Sequence, residues 1–80
     1  MKLNVGSVVR AKAGRDCGGF FVVTVLGKDH CFIADGKSRK LASPKRKNLK
    51  HIALTDSMID INDITDKKLR TILRTMSNAE

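Results

Sequence analysis

Tryptophan and tyrosine are absent, proline occurs once and cysteine twice. Each scarcity excludes something. Small barrels that bind peptides line their grooves with Trp and Tyr, so a peptide-groove module is disfavoured. Cys17 and Cys31 have thirteen residues between them and no CxxC spacing. That is not the staple framework of a small secreted domain, and reduced, partly buried thiols are expected. Long apolar runs are also missing. The longest, Phe20 to Leu26, is seven residues and includes Thr24, too short for a membrane-spanning helix. The opening MKLNVGSVVR has no apolar core of a signal peptide, so a cytoplasmic setting is expected. Acids are scarce as well: 8 Asp+Glu stand against 16 Lys+Arg, a net charge of +8. Such a balance points to polyanionic partners. Eighty residues make one domain, which excludes a multidomain enzyme.

What is present is unevenly placed. Residues 1–54 hold twelve basic and three acidic residues, whereas residues 55–80 hold four basic and five acidic. Lys37, Arg39, Lys40, Lys45, Arg46, Lys47 and Lys50 crowd fourteen residues without one acid among them. The chain reads as a basic body, 1–54, with a near-neutral tail, 55–80.

The body has the signals of a β-protein. Ser7 to Ala13 alternates, Val9, Ala11 and Ala13 on one face and Val8, Arg10 and Lys12 on the other. Three glycines between Gly14 and Gly19 predict a turn. Phe20 to Leu26 is continuously apolar and β-branched, as a strand covered on both sides would be. His30 to Ala34 is a third strand, and Asp35-Gly36 signals a type I′ hairpin turn. Lys37 to Leu41 is then the returning strand, Pro44 to Asn48 a loop, and Leu49 to Leu54 a fifth strand. In that last segment Leu49 is out of phase with Ile52 and Leu54. Five short strands in about fifty residues predict a small barrel, which removes sheet edges.

The tail changes period. Leu69, Ile72, Leu73 and Met76 form one stripe of an amphipathic helix over 65–77. Thr65 suits the N-cap, Asp66 the positive end of the dipole, and Ile64 a staple onto Leu69. Thr55 to Asp63 reads as an extended connector. The stripe is expected to pack on the barrel; a partner helix is the other use open to it.

Gly6-Ser7-Val8-Val9-Arg10, Gly14-Arg15-Asp16 and the following glycine and hydrophobic strand resemble the KOW motif. Ile33-Ala34-Asp35-Gly36-Lys37, Arg39-Lys40-Leu41, Pro44-Lys45-Arg46-Lys47 and Leu49-Lys50-His51 are similar to small bacterial KOW-domain RNA-binding proteins. Those proteins are related to KOW-containing large-subunit ribosomal proteins of archaea and eukaryotes. The likeness covers residues 5–54. It implies an SH3-like barrel that contacts RNA through loops and a basic face. With the strand and helix signals above, the expected fold is mainly β, a small SH3-like five-stranded barrel with a C-terminal α-helix, docking on structured and foremost ribosomal RNA. Cys17-Gly18-Gly19 departs from the family pattern, which has a lysine before the glycine.

Sharper chemistries fail on spacing. Gly14 to Gly19 has P-loop spacing, but Phe20-Phe21 stands where Lys-Ser/Thr is required. Cys17, His30, Cys31 and His51 number four, yet His30 and Cys31 are neighbours in a strand and no pair has finger spacing. Catalysis would want a carboxylate pair or a base beside a nucleophile, but Asp16, Asp29 and Asp35 sit at turns, where Asp is ordinary, and His30 lies in an apolar strand. No enzyme, metal or cofactor is expected. Phe20, Phe21 and Phe32 lie in apolar strands and read as core, so recognition of backbone and shape is expected over base stacking. The candidate RNA contacts are Lys45, Arg46 and Lys47 in the Pro44 loop, flanked by Lys37, Arg39, Lys40, Lys50 and His51. Arg10, Lys12 and Arg15 lie further out. The expected partner is RNA or the ribosome, and no membrane; the chain is expected to be monomeric apart from that ribonucleoprotein. The alternative is a protein-interaction module using the barrel or the helix stripe. Charge alone does not separate RNA from DNA.

Overall fold

The computed structural model describes residues 3–14 and 17–78. Five strands form one antiparallel sheet: β1 (Ser7–Ala11), β2 (Phe20–Leu26), β3 (His30–Ala34), β4 (Lys45–Asn48) and β5 (Ile52–Met58). A helix, α1 (Asp66–Asn78), follows. The order across the sheet is β4-β3-β2-β1-β5. The protein is thus mainly β, barrel-like and small, with a C-terminal helix.

The sheet is not closed, which corrects the expectation that its edges vanish. It is strongly curled nonetheless, because the two edge strands are consecutive in the chain. Laid flat, the outer strands of a five-stranded sheet stand about 19 Å apart, at ~4.8 Å per neighbour. Here one 3-10 turn, Leu49–His51, joins them, and such a turn advances only ~2 Å per residue. Only a rolled sheet permits that connection.

The alternation in β1 to β3 feeds two cores. Inside the curl, Val9, Ala11, Phe21, Val23, Cys31, Ile33 and Ile52 are buried together. On the outer face, Val8, Val22 and Ala34 meet Leu69 and Leu73 of α1. The Val8 face of β1, which the charges of Arg10 and Lys12 mark as polar, is therefore a second core at its buried end. β2 is covered on both sides over Phe21 to Val23, while Val25 and Leu26 emerge into solvent.

Two ladder irregularities help the sheet bend, one between Ser7 and Val9 and one between Val23 and Val25. Both are bridged by a threonine. Thr55 Oγ1 donates to the Val8 carbonyl at 2.8 Å, and Thr24 Oγ1 to the Phe32 carbonyl at 3.3 Å. This accounts for the one hydroxyl inside the apolar run of β2.

Several sequence expectations are corrected. β1 ends at Ala11 rather than Ala13. Lys37 to Leu41 is not a strand; the returning strand is β4, placed where a loop was expected. The Asp35-Gly36 turn is not type I′, since Gly36 has a positive φ and Asp35 does not. Asp35 Oδ1 instead accepts from the Lys37 and Arg39 amides at 2.8 and 2.9 Å, and Arg39 O accepts from the Asp35 and Gly36 amides. A local carboxylate that captures two amides competes with strand pairing, and the loop widens. The phase break at Leu49 is the 3-10 turn, and β5 runs on to Met58. Cys17 is exposed, not partly buried, and both cysteines are free.

α1 begins one residue later than expected, with Thr65 Oγ1 accepting from the Lys68 amide at 3.2 Å as an N-cap. Ile64 packs in the outer core with Leu69. Asp66 does more than complement the dipole. Its Oδ1 accepts from the Leu41 amide at 2.8 Å, fastening the Asp35–Leu41 loop to the helix start. Gly36 makes that approach possible: it sits at φ +78°, and a Cβ there would press on the Asp66 carbonyl. No helix among the described residues is long and apolar enough to cross a membrane.

Candidate nucleic-acid interface

The fourteen-residue basic run does not form one surface. β4 takes one part and the loop docked on α1 takes the other.

On β4 the strand period separates neighbours. Lys45 pairs with Ile33 and Lys47 with Cys31, so both side chains leave toward the inner face. Arg46 pairs with Phe32 and leaves on the other. Lys45 and Arg46 are exposed. Lys47 is half-buried, and its Nζ donates to the Ala13 carbonyl at 3.1 Å, tying the edge strand to the chain just beyond β1. Asn48 Oδ1 accepts from the Lys50 amide at 2.9 Å and starts the 3-10 turn, which presents Lys50 and His51 to solvent. The His51 carbonyl accepts from the Lys12 amide at 2.8 Å, bringing exposed Lys12 alongside. Lys12, Lys47, Lys50 and His51 thereby gather at one corner, from segments far apart in sequence. Arg15 lies outside the described residues.

At the Asn48 end of β4, with which His30 pairs, Asp29 accepts a 2.9 Å hydrogen bond from His30 Nδ1, and the His30 ring meets Phe32 edge-on. That hydrogen bond, with weaker attraction from His30 and Arg46, holds the Asp29 carboxyl below its ordinary range. Among the described residues no three His, Cys, Asp or Glu gather as a metal site. Cys31 is fully buried, and burial pushes its thiol above the usual range.

The second part lies over the outer face. Arg39 is half-buried in the loop that its own carbonyl closes, and Lys40 is exposed beside it. Lys37 lines a cleft of about 500 Å³ together with Gly18, Gly19, Phe20, Asp35, Arg70, Leu73 and Arg74. Arg10 stands next to it, its guanidinium carbon 5.5 Å from the centre of the Phe20 ring. At that distance the cation is attracted to the ring face.

Arg70 and Arg74 were not among the residues expected from sequence. The signal was present but averaged away. Residues 55–66 carry four acids and no base, and residues 67–78 carry four bases and no acid. Their sum is nearly neutral, whereas the helix alone is as basic per residue as the body.

The structure thus defines a small, basic, barrel-like β domain with two cationic surfaces. Compared with known proteins, the chain matches no family model and no curated protein.

Proposed function

We propose that this chain is an RNA-binding module of the KOW type, with an SH3-like barrel, that docks on structured RNA, foremost ribosomal RNA. It acts in the cytoplasm, without a cofactor and without catalysing a reaction, as a monomer outside the ribonucleoprotein. The observation that carries this reading is the exposed cations of β4 and its adjoining turn. Lys12, Lys45 and Lys50 are exposed and make no ion pair among the described residues. Cations left unpaired by the fold are available to phosphates, and each contact made releases a counterion. The resemblance over residues 5–54 supports RNA in particular. Most of the helix stripe offered to the alternative reading, protein interaction, is engaged: Leu69 and Leu73 are buried in the outer core and Met76 packs against it.

Fluorescence anisotropy of labelled ribosomal RNA, measured from low to high salt, tests the reading. With about four to six phosphate contacts, the log–log slope is expected near −3 to −5. K45E/R46E/K50E is expected to remove most of the affinity and most of the slope with an unmoved melting curve. Undiminished binding by that folded variant overturns the reading.

A further inference from the structure

We infer that the cleft between α1, the Gly18-Gly19 turn and the Asp35–Arg39 loop is a second anion seat, taking the phosphodiester backbone of the bound RNA separately from β4. This rests on the RNA reading above and adds to it residues that neither the basic run nor the resemblance contains.

Three cations line the cleft, Lys37, Arg70 and Arg74, against one acid, Asp35. The acid is already engaged, its Oδ1 accepting from the Lys37 and Arg39 amides. Arg70 and Arg74 are both exposed and stand one helical turn apart, where like charges repel. An anion between them relieves that repulsion, and a guanidinium fork suits phosphate oxygens. The floor is apolar: Leu73 is buried and Phe20 half-buried, and low-dielectric surroundings strengthen attraction. The wall at Gly18 has open space where a side chain would stand, so a ligand backbone can come close.

A polymer fits better than a free nucleotide. Arg10, over the ring of Phe20, adds a fourth cation beside the three that line the cleft. Cations inside the cleft and just outside it suit more than one phosphate of the same strand.

The test uses the full chain with R70Q/R74Q, alongside K45E/R46E/K50E. With purified ribosomal RNA, R70Q/R74Q is expected to weaken binding about tenfold or more and to flatten the salt slope by about 1.5. Its melting temperature is expected to hold or rise, since a repulsive pair is removed. Unchanged binding by R70Q/R74Q, while the β4 variant loses affinity, overturns the second seat and leaves the RNA reading standing. If the unaltered chain fails to bind RNA, the RNA reading falls and this inference falls with it. Titration with inorganic phosphate, followed at the arginine Nε resonances, separates the cleft from the polymer. Selective shifts at Arg70 and Arg74 support an anion seat, and their absence overturns it whatever the RNA result.

Discussion

The two cationic surfaces differ in how they are built. Lys45 to Lys50 are neighbours in sequence, on an edge strand and the turn that leaves it. The cleft draws on β2, the Asp35–Arg39 loop and α1, so it exists only while the helix is docked. One surface needs a strand in register; the other needs tertiary packing. Conditions that loosen α1 should therefore erase the cleft and spare β4.

The sharpest way to break that distinction is Leu69→Ala. Leu69 is fully buried between α1 and the sheet. Large-to-small core changes of this kind cost about 2–5 kcal/mol, against roughly 4–12 kcal/mol for a domain of this size. Chemical denaturation should show that loss. Where α1 undocks while the sheet stays folded, the RNA affinity that remains should be insensitive to R70Q/R74Q yet still abolished by charge reversal on β4.

Gly36→Ala tests the same docking from the loop side. The left-handed backbone costs a side chain about 1–2 kcal/mol, and the contact with the Asp66 carbonyl adds to that. A loss of about 2 kcal/mol or more is expected, together with faster exchange of the Leu41 amide. If Leu41 exchange is unchanged, the loop and helix are not coupled.

The smallest effect distinguishes the inner core from the cleft rim. Cys17 is exposed beside the glycine turn and Cys31 is buried inside the curl. A thiol reagent at neutral pH should modify Cys17 at once and Cys31 only at the rate of unfolding. Burial raises the Cys31 thiol, so on raising the pH the unfolded chain ionises first. Stability should therefore be complete below the ordinary thiol range and fall as the pH climbs through it. A flat stability profile there would mean that Cys31 is hydrated. In Leu69→Ala, labelling of Cys31 should accelerate with the loss of stability, while Cys17 stays unchanged.

Sequence patterning located β2, β3 and α1 nearly to the residue, because apolar runs and helical stripes report burial directly. Loop and strand were interchanged between Lys37 and Asn48, where that signal is missing. β4 is Lys-Arg-Lys-Asn, with no apolar residue to show which face it buries. It is a strand because β3 offers a ladder, which is a tertiary cause. Asp35-Gly36 misled for a local reason: its carboxylate caps a wider loop instead of a two-residue turn. The site divides along the same line. Lys45, Arg46 and Lys50 stood out as a run, whereas Arg70 and Arg74 became part of a surface only once α1 packed beside β2.

The composition of β4 has a consequence for the molecule's solubility. A curled but open sheet leaves backbone amides and carbonyls facing outward along its borders, and such borders recruit strands from other copies. Four residues is a short template, and three of these four are cationic. A second copy approaching β4 against β4 meets its own charge. The side chains proposed to meet phosphate also guard this edge against pairing with its own kind. An apolar, β-branched β4 would forfeit both, exposing a sticky border on a domain too small to hide it.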